Sequence, residues 1–182
     1  MPAFAFRKMS LFKVVLPCMH DLDEHWMRQA LDAAKSAVAG GEVPIGACVV
    51  SAEGELLASA FNLTITNSDP TAHAEILAIR TAATLVGNYR LTGATVYSTL
   101  EPCVMCAGAL LNARIARLVF GAHDERFGAV ETHFRICDTE ILNHRIEVAS
   151  GVLAETCRSL LQQFFRSRRE EIKAARQNKT LT

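Results

Sequence analysis

Hydrophobic and polar positions change their spacing several times along the chain, and each change marks a new element. Apolar residues recur every three or four positions from 23 to 39, which predicts a helix that Gly40 and Gly41 end. Two short apolar runs follow at 45–50 and 55–61. The turn residues between these two runs predict a β-hairpin.

Strand-like and helix-like patterns alternate through the rest of the chain. We predict further strands over 94–100, 116–122 and 145–149, and further helices over 71–86, 103–112 and 153–173. The polar composition of residues 123–143 predicts a long loop, and we predict a frayed basic tail after the last helix. Strands that alternate with helices pair in parallel, whereas a hairpin adds antiparallel pairing. The predicted fold is therefore a three-layer α/β/α sandwich around a mixed five-stranded sheet.

The length of 182 residues suits one domain, and a content of 50% hydrophobic and 21% charged residues excludes global disorder. We predict a single domain over residues 21–182 and an N-terminal tail of unknown role over residues 1–20. The tail loosely resembles a signal peptide, but Lys13 and Pro17 interrupt it, and a true start at Met19 is an alternative. No apolar run approaches the ~20 residues of a membrane span, so we predict no membrane partner.

Charge and cysteine content fit an ordinary intracellular protein. The formal net charge is zero, so any affinity for nucleic acid must come from a local patch. Of the six cysteines only Cys103 and Cys106 lie close together, whereas a secreted disulfide scaffold is shorter and denser in cysteine. We therefore predict a reducing, cytoplasmic location.

Two short motifs carry the candidate chemistry, His73-Ala-Glu75 and Cys103-Val-Met-Cys106. One imidazole and two thiolates are a ligand set that suits zinc. Three protein ligands leave the fourth tetrahedral position to water, which distinguishes a catalytic zinc site from a closed structural one. We predict one zinc ion per subunit, held by His73, Cys103 and Cys106.

The spacing of the motifs restricts how these side chains can meet. Cys103 and Cys106 lie three residues apart in a first helical turn, with Pro102 predicted at the first helical position. His73 and Glu75 are two residues apart, and on a helix their side chains diverge by ~200°. They converge only over a helix end, so the prediction requires two helix N-termini at one metal. Such ends also favour thiolates over thiols.

Glu75 is the predicted catalytic residue. Bound zinc lowers the pKa of a water molecule to about 7, which supplies hydroxide at neutral pH. Attack on an aromatic amidine carbon then requires a proton for the ring nitrogen and another for the departing ammonia. One carboxylate beside the metal can shuttle both protons.

Each motif alone has another explanation. A single His-x-Glu is most often a solvated helix start, and a single Cys-x-x-Cys fits a redox pair or half of a structural zinc site. A structural site needs a second close ligand pair, which the sequence does not contain. Both motifs in this order, each between a strand and a helix, form the pattern of zinc-dependent nucleobase deaminases.

At these residues the chain resembles the cytidine deaminase-like superfamily and, within it, the bacterial tRNA-specific adenosine deaminases. The resemblance covers about residues 25–173, and the stretches that carry it include EVPIGA (42–47), DPTAHAEI (69–76), TLEPCVMCAGA (99–109), RIARLVFGAHD (114–124), NHRIEV (143–148) and FFRSRR (164–169). It implies a homodimer that converts adenosine to inosine at the wobble position of tRNA, by attack of zinc-bound hydroxide on C6 of the base.

The resemblance also implies roles for further positions. Asn62 would hydrogen-bond the flipped nucleoside, and Asp124 would contact the backbone beside it. Ala74 and the backbone of Leu100 and Glu101 would line the pocket. Taken alone, Asn62 and Asp124 are equally well explained as loop formers.

Two departures from the family pattern flank these positions. Leu63 stands where relatives usually carry a basic residue, and the loop over 129–142 lacks the small Gly-Ser element common there. Both departures concern contacts with RNA and leave the metal motifs intact.

A local basic patch marks the C-terminal segment, where residues 164–182 carry six basic residues against two acidic ones. From the resemblance we expect this patch to hold the anticodon loop of a tRNA, in the first instance an arginine tRNA. The residues assigned to this contact are Arg166, Arg168, Arg169 and Lys173. Phe164 and Phe165 could stack on bases, but large apolar side chains are usually buried, so we predict that they lie in the core.

Three other functions stay open. A guanine or cytosine deaminase acting on free bases shares the zinc motif, but a free base has no phosphates for a basic helix to hold. A non-catalytic RNA-binding partner of another deaminase does not need intact zinc ligands and Glu75. A redox Cys-x-x-Cys protein binds no zinc, so a zinc content of one atom per chain would eliminate it.

Overall fold

The computed structural model describes residues 19–180, with side chains through residue 177. Within these residues the chain forms four helices and five strands in the order that the sequence predicts. The elements are α1 (Met19–Ala39), β1 (Gly46–Val50), β2 (Leu56–Phe61), α2 (Ala74–Val86), β3 (Thr95–Leu100), α3 (Val104–Asn112), β4 (Arg117–Ala122), β5 (Glu147–Ser150) and α4 (Ala154–Thr180).

The five strands form one mixed sheet in the order β2-β1-β3-β4-β5. β1 pairs antiparallel with both β2 and β3, whereas β3, β4 and β5 run parallel. Buried residues of α2 and α3 form one apolar cluster with the sheet, and those of α1 and α4 form another. The predicted three-layer α/β/α sandwich with a mixed five-stranded sheet is therefore confirmed.

The largest differences from the predicted helix boundaries are at the start of α1 and the end of α4, and α2 begins at Ala74 instead of residue 71. α1 begins at Met19, four residues before the predicted start at Asp23, so residues 19 and 20 of the predicted tail are helical. The rest of that tail, residues 1–18, lies outside the described residues. α4 continues to Thr180 instead of fraying after Lys173. The basic segment is rich in Arg, Lys, Glu, Gln and Ala, which have high helix propensity and sustain the helix without an apolar stripe.

The start of α3 also corrects a prediction. The helix begins at Val104 with Cys103 as its N-cap residue, so Pro102 precedes the cap and does not occupy the first helical position. Proline there favours an extended residue before it and ends β3 sharply. The shift places both cysteines around the open first turn of the helix.

The segment between β4 and β5 forms no helix or long strand, as predicted, but it is not a wholly polar loop. Ala129, Val130 and Cys137 are buried and belong to the apolar cluster beneath α2 and α3. Its backbone folds back on the β3–α3 connection, where Ala129 N–H donates to Pro102 O at 2.9 Å.

A buried ion pair joins α1 to the sheet. Arg117 on β4 donates to both carboxylate oxygens of Asp23, at 2.6 and 2.8 Å, and Tyr97 on β3 donates to Asp23 at 2.9 Å. Burial raises the pKa of Asp23, but these hydrogen bonds outweigh that effect and the net pKa lies below its ordinary value. Between residues 19 and 180 no helix has the length and apolarity needed to cross a membrane.

Close packing of α1 on β1 depends on Gly46. A Cβ atom at this position would lie 2.5 Å from the backbone nitrogen of Ala34 and closer still to the carbonyl oxygen of Ala30. Both neighbours are backbone atoms of a regular helix, so they cannot rotate away as a side chain would.

We expect Gly46→Ala to lower the free energy of unfolding by about 3 kcal/mol, because the methyl group pushes α1 off the sheet. Gly40→Ala is the matched control, since its Cβ would have no neighbour nearer than 3.6 Å, and we expect a change within about 0.5 kcal/mol. Urea denaturation measures both. Equal midpoints for the two variants would contradict the claim.

Candidate metal centre and active site

Two helix N-termini meet at one point of the structure, as the motif spacing requires. His73 is the N-cap residue of α2 and Cys103 is the N-cap residue of α3, both with extended backbone. Neither side chain caps its own helix with a hydrogen bond. Both side chains are therefore available for contacts outside their helices, and Cys106 joins them from the first turn of α3.

The three donor atoms have the spacing of a tetrahedral metal site. The Nδ1 atom of His73 lies 3.7 Å from Cys103 Sγ and 3.5 Å from Cys106 Sγ, and all three donors lie within 4.8 Å of one another. Zinc bound at 2.0–2.3 Å to nitrogen and sulfur in tetrahedral geometry separates its ligands by about 3.5 Å. The cluster thus fits zinc in both donor type and spacing.

Electrostatics at the cluster also favour a bound cation. A hydrogen bond from Cys106 and a further one with His73 lower the pKa of Cys103 to about 4, although burial opposes the shift. The same contact with Cys103 raises the pKa of Cys106, because two adjacent sulfurs do not both ionise without a cation between them. A zinc ion resolves this conflict by holding both cysteines as thiolates.

Glu75 contributes a buried carboxylate beside the donors. It is the second residue of α2, and its exposed fraction is 3%. Its Oε1 lies 3.4 Å from Ser98 Oγ, whose hydroxyl donates to Leu100 O at 2.8 Å. Oε2 is buried and has no hydrogen-bond partner among the described residues. Burial raises the pKa of Glu75 above its ordinary value. A buried carboxylate oxygen without a partner costs stability and marks a group that acts on something outside the chain.

A cavity of about 1100 Å³ opens above these side chains, large enough for more than one nucleotide. Its walls come from the ends of β1, β2 and β3, the start of the β4–β5 segment and one side of α4. The side chains that bear on the chemistry are His73, Glu75 and Cys103 at one end and Asn62, Leu100, Glu101 and Asp124 around it.

The predicted substrate-binding residues fall into two groups. Asn62, Leu100, Glu101 and Asp124 all line the cavity. Ala74 does not line it, because its side chain is fully buried in the core and its N–H donates to Asn62 Oδ1 at 2.9 Å. That hydrogen bond fixes the Asn62 amide so that its NH₂ group is left for another partner.

Glu101 has a structural task as well as a place in the wall. Its carboxylate accepts backbone N–H bonds from Val130, Glu131 and Thr132 at 2.8–3.0 Å and from Asp124 at 3.2 Å. Burial raises the pKa of Glu101, but these hydrogen bonds outweigh that effect and the net pKa lies below its ordinary value. The donors to Glu101 are backbone groups, so the segment after β4 forms these hydrogen bonds although it lacks the Gly-Ser element common in relatives.

The basic residues of α4 separate into different surroundings. Arg166 and Arg169 line the cavity, whereas Arg168 pairs with Glu171 at 3.1 Å and Lys173 lies in a shallow groove farther along the helix. The prediction that Phe164 and Phe165 lie in the core is wrong. Phe165 is 44% exposed on the cavity wall and Phe164 is half-buried, because α4 extends past the sheet after Leu161.

The cavity is also lined by residues that were not predicted from the sequence, among them His123, Arg126, Phe127 and Arg158. Arg158 lies eight residues before Arg166, which puts it on the same helix face, so helical spacing carried a signal for it. The other three follow β4 in an irregular segment, and their direction depends on hydrogen bonds to Glu101 and Asp124 that no periodicity reveals.

The fold and the donor cluster define a zinc-dependent deaminase. Residues 20–122 match the family model described as the cytidine and deoxycytidylate deaminase zinc-binding region. The match includes all three donors and Glu75. The chain therefore belongs to this deaminase family.

Similar proteins within the family have names that state a particular substrate. It is 52% identical over 153 residues to the tRNA-specific adenosine deaminase of Haemophilus influenzae, covering 84% of this chain and 88% of the relative. It is 48% identical over 156 residues to the enzyme of the same name from Bacillus subtilis, covering 86% and 96%.

Solved structures of other deaminases are also similar to this chain. A structure from a study of A-to-I editing by tRNA:A34 deaminases is 44% identical with a TM-score of 0.72, and covers 75% of this chain and 99% of that one. A guanine deaminase from Nitrosomonas europaea is 26% identical with a TM-score of 0.64, covering 78% and 83%.

We expect purified protein to contain one zinc ion per chain and Cys103→Ala to lose it, because two donors of the described cluster cannot replace the third. Cys137→Ala is the matched control, since this thiol is buried in the core away from the donors and burial raises its pKa to about 12. Atomic absorption of dialysed protein measures the content. Full zinc in Cys103→Ala would contradict the assignment of this ligand.

Proposed function

We propose that this protein hydrolyses the 6-amino group of adenosine at the wobble position of a tRNA, leaving inosine. The observation that carries the proposal is the unpartnered carboxylate oxygen of Glu75, buried beside three zinc donors in a cavity whose outer wall is basic. The names of the relatives supply the substrate, and the basic wall agrees with a polyanion.

Zinc held by His73, Cys103 and Cys106 supplies Lewis acidity that makes water a nucleophile at neutral pH. Glu75 performs the proton transfers. Oε2 is buried without a hydrogen-bond partner in the described chain, so it is the oxygen that we assign to the proton transfers. It takes one proton from the attacking water and passes it to N1 of adenine, then carries the second to the departing amino group, which leaves as ammonia.

Asn62 and the strand ends position the base. Because Asn62 Oδ1 already accepts the Ala74 N–H, its NH₂ group donates to the nucleoside. The backbone at Leu100 and Glu101 borders the base, Asp124 contacts the adjoining backbone, and Ala74 sets the spacing between His73 and Glu75. The place of Asn62, Leu100, Glu101 and Asp124 in the cavity lining supports these roles.

The α4 wall favours RNA over a free base. Arg158, Arg166 and Arg169 line the cavity with Phe165, and cations beside an exposed aromatic ring suit phosphates and unstacked bases. We propose that the RNA-binding surface continues along α4 to Arg168 and Lys173, which make weaker contacts. A substrate as small as free guanine would leave this basic wall without a partner. The guanine deaminase structure is also only 26% identical to this chain.

We further propose that the enzyme is a cytoplasmic homodimer. α3 is apolar on all sides except Asn112, yet Val104 is 53% exposed and a side chain at Gly108 would meet nothing within 4 Å. A helix apolar all round is normally covered, and a second copy supplies such a cover. None of the five described cysteines forms a disulfide, which agrees with a reducing compartment.

We expect the purified enzyme to convert adenosine 34 of an unmodified arginine tRNA to inosine, read by sequencing. Glu75→Ala retains zinc but loses activity by at least about 10²-fold, because proton transfer fails. A tRNA with guanosine at the wobble position is the matched control. Turnover of free guanine or cytosine with none of the tRNA would refute the substrate, and normal turnover by Glu75→Ala would refute its role.

We expect the wild-type protein to sediment as a dimer and Val104→Asp to shift it toward monomer, because a charge enters an apolar contact. Val38→Asp is the matched control, since Val38 is 45% exposed on α1, on the opposite face of the sheet. A monomeric wild-type protein at micromolar concentration would contradict the proposal.

A further inference from the structure

Phe127 is the most exposed large hydrophobic side chain on the wall of the reaction cavity. It is 68% exposed, compared with 44% for Phe165, and the zinc ligand Cys103 lines the same cavity. Scattered exposed apolar residues are common, but an aromatic ring at the mouth of an RNA-modifying site has a specific chemical use.

The backbone that carries Phe127 is held in place by several contacts. Asp124 Oδ1 accepts hydrogen bonds from Arg126 N–H at 2.9 Å and Phe127 N–H at 3.3 Å, and Gly128 N–H donates to Asp124 O at 3.0 Å. The turn is thus closed around Asp124, with Phe127 at its outer side.

The same turn is joined to the metal site. Gly128 forms a β-bridge with Cys103, and a Cβ at position 128 would lie 2.5 Å from the carboxyl carbon of Glu101. Phe127 is therefore one residue from a backbone contact with a zinc ligand. These contacts set the position of the Phe127 backbone relative to the metal site, which lowers the cost of ordering this segment on binding.

The surroundings of the ring identify its partner. Arg126 lies next to it in sequence, and Arg158, Arg166 and Arg169 line the same cavity. Sites for single-stranded nucleic acid combine a cationic groove for the backbone with aromatic rings on which bases stack. An apolar peptide would gain nothing from this set of cations.

We propose that Phe127 is a stacking platform for the base next to the reacting adenosine, and so a specificity-determining residue of the RNA site. The inference rests on the proposed function. Extracting one nucleotide from a loop breaks its stacking on both neighbours, and the Phe127 ring replaces one of the lost contacts.

The test is a cycle between protein and RNA variants. Single-turnover deamination is measured on a stem-loop with a wobble adenosine, and on copies in which one neighbouring base at a time is abasic. We expect Phe127→Ala to lower kcat/KM on the order of tenfold on the intact RNA. One abasic position should lower the wild-type rate by a similar factor and leave Phe127→Ala unchanged. Phe127→Tyr should retain the wild-type rate.

Phe134→Ala is the matched control, because Phe134 is 54% exposed in the same β4–β5 segment but does not line the cavity. Wild-type kinetics for Phe127→Ala, or losses that add independently with every abasic position, would overturn the inference. Dissociation of the dimer by Phe127→Ala would overturn it in favour of a protein contact. A wild-type enzyme inactive on the intact stem-loop would refute the proposed function and this inference together.

Discussion

The convergence of two helix starts on one metal-sized space is the constraint on which this structure depends. β2 and β3 run in the same direction because each is antiparallel to β1 between them. Chains leaving parallel strands at their carboxyl ends emerge at the same edge of a sheet, where ligands commonly bind. α2 and α3 therefore start side by side on one face of the sheet, and His73 and Cys103 occupy equivalent cap positions.

Buried carboxylates distinguish structural tasks from chemical ones in this protein. Glu42 is fully buried and accepts hydrogen bonds from Thr64 Oγ1 and Thr66 N–H, which holds the β2–α2 connection. Glu101 holds the segment after β4 in the same manner. Glu75 alone among the three retains an oxygen without a partner in the described chain. The two satisfied carboxylates shape the cavity, and the unsatisfied one faces its contents.

The sequence predicted the element order, the sheet type and the metal cluster because each has a short-range signature. Periodicity identified strands and helices, and the spacing of His73 and Glu75 required the metal donors to meet at helix ends. The wall of the cavity was less predictable. Phe165 is apolar and was expected inside, but burial depends on how far α4 extends past the sheet, which is a tertiary property. Phe127 is positioned by a turn that needs Glu101 from another part of the chain.

Anchoring the segment after β4 through main-chain groups has an evolutionary consequence. The hydrogen bond from Glu131 to Glu101 does not depend on the side chain at position 131, since any residue except proline offers the same N–H. Because the Glu131 carboxylate contacts the cavity residue His123 at 2.9 Å, a substitution at position 131 can alter the cavity mouth while the path of the chain stays constant. A scaffold of this kind can exchange one nucleobase-containing substrate for another over generations without rebuilding the ion-binding chemistry beneath.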